Sequence, residues 1–399
     1  MGDKRTLNDI ADYEWLTGPE AGRLLGEFAE STEPVLQQLN RLRKVLTAER
    51  ARLITEQVAL RKKAANKFGS LAERMFFTDV GLQQATDIWI ARYKAERFGD
   101  QKPAVDYCCG IGGDLVALAE RGSVVGWDQD AGVATFARAN AYTEVCVGDV
   151  EQQTPDGAVW HLDPDRRVDG RRSTQVQWHS PGPEVVDRWR QTCADGCLKL
   201  APAARVPEVW EQEGELEWIT RERECRQLVV WFGELASENG KRRATVLTKP
   251  AESESRWLPS SFAGNADAIA PVAEQVGNFV YDTDPSLRAS GLVGALGEEM
   301  GLAVLSGGAS YLTSDSRIEH GLVSCFEVEE VVPFRVGSLS KLLRARGIGR
   351  LEIKKRGVEV VPERLRQQLK LKGSEGASLL IGKVGVSEVA ILGRRCGGE

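Results

Sequence analysis

The segment VDYCCGIGGDLVALAERGSVVGWDQD, residues 105–130, constrains this chain more than any other. It reads as a buried strand, a glycine turn, a helix and a second strand that ends on an acid. The alternation continues to about residue 250. Strands are expected at AVDYC, SVVGW, TEVCVG, AVWHLD, GCLKLA, LEWIT, RQLVVWF and ATVLT, with helices around 113–121, 131–140 and 183–195. Strands and helices in this order predict an α/β fold, a doubly wound Rossmann-like sheet with helices on both faces. The last strands lie close together with no long helix between them, which predicts an antiparallel edge.

In such a sheet the ligand sits beyond the carboxyl ends of the strands, near the first strand-to-helix turn. The turn here is Gly110-Ile111-Gly112-Gly113, preceded by Asp106 and followed by Asp114. A dinucleotide fingerprint needs a third glycine where this chain has Leu115, and a P-loop needs a Gly-Lys-Ser/Thr that is absent. A carboxylate four residues before the first glycine sits badly beside a pyrophosphate. It sits well beside an ammonium or a sulfonium, because opposite charges attract in a desolvated cleft. S-adenosylmethionine carries both cations and no phosphate. Asp128, at the end of the second strand, is suited to both ribose hydroxyls, with Asp130 as the alternative. Asp149, at the end of the third, is suited to the adenine amino group. The turn alone would be an ordinary tight turn; the turn with acids at three successive strand ends selects this cofactor.

The flanks differ in style. Residues 1–100 read as a helical domain, with Leu36, Leu39, Leu42 and Leu46 at helical spacing. Residues 41–67 hold nine Lys/Arg against two Glu, a pattern that a solvated helix face explains better than a nucleic-acid surface. After the loop KPAESESRWLPSSF, residues 265–399 mix short helices and strands as an α+β module. The 399 residues are enough for two or three cores. Eight scattered cysteines without a CxxC pair, and three histidines, argue against a zinc site or a disulfide framework. No metal is expected, and reduced thiols point to the cytoplasm. No apolar run reaches the roughly 18 residues that would span a bilayer. The start MGDKRTLNDI lacks the apolar core of a secretory signal and matches only the loose Gly2/Thr6 acylation pattern. A net charge of −6 confines any nucleic-acid binding to local basic patches.

Residues 104–250, through DYCCGIGGD, resemble a class I S-adenosylmethionine-dependent methyltransferase. KFGSLAERMFFTDVGLQQATDIWIARYKA is similar to the helical extension of trimethylguanosine-synthase-like RNA methyltransferases. From about residue 280, YDTDPSLRASGLVGALGEEMGLAVLSGGASYLTSD and SLSKLLRARGIGRLEIKKRGVEVVPERLRQQLKLKG resemble the THUMP-like domain of a group of bacterial methyltransferases. The resemblance implies an RNA substrate. It also implies that the segment around Phe76 and Phe77 folds over the cofactor, with Phe77, Gln84 and Thr86 as lid residues. A helix-capping role for Thr78 and Asp79 explains much of the same pattern.

The fourth strand ends in Asp163-Pro164-Asp165-Arg166-Arg167. Methyltransferases acting on nitrogens often carry Asp/Asn-Pro-Pro-aromatic here; Asp163 and Pro164 match, while the second proline and the aromatic are missing. That departure weakens the case for amino-nitrogen methylation of a flipped base. Asp163 is the first candidate for orienting or deprotonating the nucleophile, and Asp165 the second. Arg166 and Arg167 are suited to a phosphate or carboxylate, or else to structural pairing with nearby acids. His161, on the strand itself, reads as a packed core residue, and Cys108 and Cys109 likewise. Trp178 and His179 stand in a loop suited either to the substrate entrance or to capping the sheet. Twelve Lys/Arg against three acids between Phe334 and Gly373, with Lys354, Lys355 and Arg356 adjacent, form the expected RNA-binding patch. The leading expectation is an RNA methyltransferase. The alternatives are a methyltransferase for a small molecule or protein, and a non-catalytic RNA-binding protein that retains the fold.

Overall fold

Val105 and Val159 are typical of β-branched residues on a buried parallel strand, and the first and fourth strands pair along their whole length. The computed structural model describes residues 7–155, 157–168, 171–249, 257–306 and 311–397. The Gly2/Thr6 pattern and most of the KPAESESR segment lie outside them. The chain divides into two compact units: residues 1–215, 228–239 and 251–257 form one, and residues 216–227, 240–250 and 258–399 the other.

The first unit opens with helices α1 (Leu7–Leu16), α2 (Pro19–Ala29), α3 (Val35–Leu42), α4 (Ala48–Phe68), α5 (Asp79–Gln84) and α6 (Ile88–Glu96). Strand β1 (Ala104–Tyr107), helix α7 (Gly113–Arg121), β2 (Val124–Asp128), α8 (Ala131–Ala141) and β3 (Val145–Val147) follow. Next come β4 (Val159–Leu162), the short hairpin β5 (Arg167–Val168) and β6 (Arg171–Arg172), α9 (Pro183–Thr192), β7 (Gly196–Leu200) and α10 (Glu208–Glu213). Strands β3, β2, β1, β4 and β7 are neighbours in that order, all parallel. Residues 228–232 of β9 (Glu224–Phe232) run antiparallel to β7, which is the expected antiparallel strand. The expected helices near 113–121, 131–140 and 183–195 are α7, α8 and α9. Trp160, Trp189 and Phe232 pack together in this unit's core.

The N-terminal helices belong to the same unit as the sheet, and most of their positive charge is spent internally. Arg41 pairs with Glu27 and Glu33, Arg50 with Asp12, and Arg52 with Glu49 and Glu56. Arg61 donates to the carbonyls of Met75 and Arg74. Burial without a carboxylate pulls its guanidinium down to about 10. Lys67 Nζ donates to the carbonyls of Leu82, Gln83 and Ala85, where α5 ends. These contacts engage much of the basic run at 41–67 within the protein itself and fix α5 in place.

The second unit holds most of β8 (Glu215–Arg221), together with β10 (Arg242–Thr248) and β11 (Leu258–Gly264). It continues with β12 (Phe279–Thr283), α11 (Pro285–Ala289), α12 (Val293–Met300), β13 (Ala303–Val304), β14 (Leu312–Ser314) and β15 (Val323–Pro333). Then come α13 (Val336–Ala345), β16 (Ile348–Lys355), α14 (Pro362–Leu369), β17 (Glu375–Val384) and β18 (Ser387–Arg395). A seven-stranded sheet runs β13-β14-β12-β15-β18-β17-β16. Leu339 and Leu343 of α13, with Leu365 and Leu369 of α14, bury against Leu379, Ile381 and Leu392 of that sheet. Residues 216–250 are divided between the units, 228–239 with the first and the rest with the second.

The turn after β1 is built on left-handed backbone. Gly112 has φ +88°, and a Cβ there would sit 3.4 Å from Ala137 Cα, so α8 packs directly on it. Gly112→Ala is expected to cost about 1–2 kcal/mol from backbone strain alone. Gly26, within α2, has open space at its Cβ position. Gly26→Ala is expected to add about 0.5–1 kcal/mol. Urea unfolding should show a lower midpoint for the first variant and a higher one for the second.

Candidate active site

Strand β1 lies between β2 and β4, so the connections leave it towards opposite sides of the sheet and a crevice opens past its carboxyl end. A cleft of about 770 Å³ fills that crevice. Asp106, Cys108, Gly110 and Gly113 line it from the first turn, Asp128 and Asp149 from the next strand ends, and Asp163, Pro164, Asp165 and Arg166 from beyond β4. Tyr13 and Arg52 reach it from the N-terminal helices, and Gln84 and Thr86 from the end of α5. Gly112 stands behind the cleft, shaping the turn.

Each acid is fixed by its neighbours. Asp128 accepts Gly110 N–H at 2.9 Å with Oδ2 and Asp130 N–H at 2.9 Å with Oδ1, clamping the glycine turn to the end of β2. Burial raises its carboxyl, against the pull of those two N–H groups. Asp149 accepts Glu151 N–H at 3.0 Å. Asp163 Oδ2 is 2.5 Å from Lys199 Nζ. Asp165 exchanges backbone hydrogen bonds with Ser180, tying the strand end to the following loop. Asp106 is fully buried and its Oδ1 lies 2.6 Å from His161 Nδ1, while Oδ2 has no hydrogen-bond partner among the described residues. Burial raises the Asp106 carboxyl, and His161 opposes that rise.

Comparison with known proteins decides the chemistry. An uncharacterized S-adenosylmethionine-dependent methyltransferase from two strains of Mycobacterium tuberculosis is 32% identical to this chain over 356 residues, covering 86% of it and 95% of the relative. The chain belongs to the S-adenosylmethionine-dependent methyltransferases. The THUMP domain-like family matches residues 323–395. A putative methyltransferase from Porphyromonas gingivalis shares the fold over 98% of both chains, with TM-score 0.75 and 18% identity.

The cleft of this methyltransferase fits its cofactor. S-adenosylmethionine is a cation with an ammonium group, and Asp106, which lines the cleft, has a buried carboxylate oxygen without a hydrogen-bond partner among the described residues. Gly110, at φ +56°, has nothing within 4 Å of its Cβ position, so the turn leaves room for a ligand against the backbone. The thiols of Cys108 and Cys109 are raised well above their ordinary range by burial and stay protonated. Among the described residues no group of three His, Cys, Asp or Glu side chains is arranged to hold a metal, and no helix is long and apolar enough to cross a membrane.

Several residues of the site are not apparent in the sequence. His161 pairs in strand register with Asp106, and its Nε2 lies 3.1 Å from Lys94 Nζ. Lys94 also lies 2.7 Å from Asp114, which accepts Thr86 Oγ1–H at 2.6 Å. Burial pulls Lys94 down most strongly, but Asp114 and other nearby groups together raise it above its ordinary value and the ammonium is kept. Burial pushes Asp114 up most strongly, but Lys94, His161 and Lys199 together hold the carboxyl below the usual carboxylate range. The one sequence signal was positional: Asp106 and His161 are each the third residue of their strands.

Two expectations are corrected. Phe77 is 1% exposed and packs on Phe68, with its backbone bonded to the Gln57 amide, so it does not line the cleft. Lys354 and Arg356 both pair with buried Asp282, at 2.9 and 2.7 Å, leaving Lys355 as the exposed member of that triplet. His179 is buried with Nε2 3.2 Å from the Ser173 carbonyl, and burial lowers its imidazole. Trp178 stays exposed. Lys94→Met should cost about 3–5 kcal/mol by leaving Asp114 buried without its nearest cation. Adding Asp114→Leu should recover part of that loss in urea unfolding, and additive losses would contradict the pairing.

Proposed function

We propose that this methyltransferase acts on RNA, with the Asp163–Arg166 segment orienting the nucleophile and Asp106, Asp128 and Asp149 holding the cofactor. The observation that carries this reading is Asp163, which lines the cleft, pairs through Oδ2 with Lys199 and has no partner on Oδ1 among the described residues. A carboxylate oxygen in that position can accept the hydrogen of an incoming N–H or O–H and aim its lone pair. The cofactor supplies an electrophilic methyl group, so positioning and exclusion of water are what remain for the protein to do. Arg166 lines the same cleft without an ion-pair partner among the described residues, which suits a substrate phosphate.

The THUMP-like match supports the RNA reading, and the correction at Lys354 and Arg356 moves the contact surface. Arg335, Lys341, Arg344, Arg364, Lys370 and Lys372 are exposed on or beside α13 and α14, without ion-pair partners among the described residues. Such charge neutralises backbone phosphates and makes affinity depend on salt. One observation favours a second reading. Ten carboxylates line the cleft against two arginines, Arg52 and Arg166, an environment that attracts an amine on a protein or small molecule.

Transfer of labelled methyl groups to total RNA, protein extract and metabolites separates the readings, with label expected in RNA. Asp163→Ala should lower kcat on the order of 100-fold. It should leave S-adenosylmethionine affinity within a few fold. Label confined to protein or metabolites would replace the RNA reading with the second one. Arg344→Glu with Arg364→Glu should weaken RNA binding at every sequence and reduce the salt slope by about two. An unchanged slope would remove α13 and α14 from the contact.

A further inference from the structure

Six ionisable side chains form a continuous line under the cleft. Asp106 Oδ1 lies 2.6 Å from His161 Nδ1, His161 Nε2 lies 3.1 Å from Lys94 Nζ, and Lys94 Nζ lies 2.7 Å from Asp114 Oδ1. Asp114 Oδ2 lies 4.0 Å from Lys199 Nζ, which lies 2.5 Å from Asp163 Oδ2. Asp106, His161 and Lys94 are each no more than 1% exposed. The line thus joins the acid behind the glycine turn to the acid beyond β4.

The contacts fix where the protons are. Lys94 Nζ and His161 Nε2 cannot both present a hydrogen across 3.1 Å. With Lys94 held as an ammonium by Asp114, Nε2 accepts, and the imidazole carries its hydrogen on Nδ1, donated to Asp106. Three carboxylates then face two ammonium groups and a neutral imidazole. The line is one positive charge short, and Asp106 Oδ2 is a buried oxygen with no hydrogen-bond partner among the described residues, on a side chain that lines the cleft. Buried carboxylate oxygens are ordinarily hydrogen-bonded, so one left open on a cleft-lining residue is suited to a ligand donor.

We propose that His161 and Lys94 are positioning residues: they hold Asp106 with one oxygen engaged and the other presented, and the cofactor's ammonium supplies the cation that the buried line lacks. This rests on the reading that Asp106 meets the amino-acid end of the cofactor. His161→Gln keeps an acceptor for Lys94 and loses the donor to Asp106, whereas His161→Asn puts an amide N–H where Nδ1 stood. Calorimetric titration of the full chain with S-adenosylhomocysteine and with methylthioadenosine, which shares the nucleoside but lacks the amino-acid arm, separates positioning from folding. His161→Gln is expected to weaken S-adenosylhomocysteine about tenfold and leave methylthioadenosine unchanged. His161→Asn should restore most of the loss. Asp106→Asn is the control for the underlying reading: if it affects both ligands alike, Asp106 does not receive the ammonium. If Asp106→Asn discriminates while His161→Gln binds both as wild type, or loses both equally, the positioning role is overturned. Should His161→Gln fail to fold, nitrogen NMR of the wild-type chain with labelled histidine gives the same test. The Nδ1–H tautomer is expected, with a resonance that moves on adding S-adenosylhomocysteine and not on adding methylthioadenosine. A cationic imidazole, or equal response to both ligands, would contradict it.

Discussion

The hydrogen bond between His161 and Asp106 is the constraint on which the rest of the site depends. It crosses the pairing of β1 and β4, the two strands at the point where the sheet's connections diverge. A buried carboxylate is tolerable only with partners, and the sheet supplies one from the neighbouring strand, while the second oxygen has none among the described residues. Lys94, Asp114 and Lys199 extend that compensation sideways, so the cofactor end and the transfer end of the cleft share one electrostatic environment.

The N-terminal helices complete the site. Lys67 holds the end of α5 through three carbonyls, and Thr86, just beyond it, reaches Asp114. Asn140 ties the Phe76 backbone to the carbonyl of Ile111 in the glycine turn. The segment before β1 therefore covers the cleft through backbone and polar contacts. Phe77 contributes from beneath, as core packing against Phe68, and supports the cover without touching the cleft.

The pattern of what the sequence reveals follows from range. Strand β1, the glycine turn, α7 and β2 are contiguous, and their periodicity and turn chemistry are local, so the α/β fold and the acids at successive strand ends are legible. His161 reads as an ordinary buried histidine until strand pairing sets it opposite Asp106, 55 residues away. Lys94 reads as a basic residue in the last turn of a helix, a favourable place for any lysine. Its pairing with Asp114 depends on how α6 packs against α7. The run Lys354-Lys355-Arg356 looks uniform in sequence, but a strand alternates its faces. Lys354 and Arg356 turn together towards Asp282, more than seventy residues away, and only Lys355 remains outward. Charge counts along a chain do not distinguish a paired cation from a free one.

A cleft rich in carboxylates beside a methyl donor, and a THUMP-like module whose unpaired cations lie on α13 and α14, are two different electrostatic surfaces on one chain. The first suits the cofactor and the reacting group, the second a phosphate backbone. We propose that the cleft past β1 and β4 holds S-adenosylmethionine with its ammonium on Asp106 and its ribose on Asp128. A crystal structure of the full chain with S-adenosylhomocysteine bound tests this directly. The account predicts the ligand's amino group within hydrogen-bond distance of Asp106 and its ribose hydroxyls on Asp128. A ligand bound in this cleft with neither contact, or bound elsewhere, would contradict it.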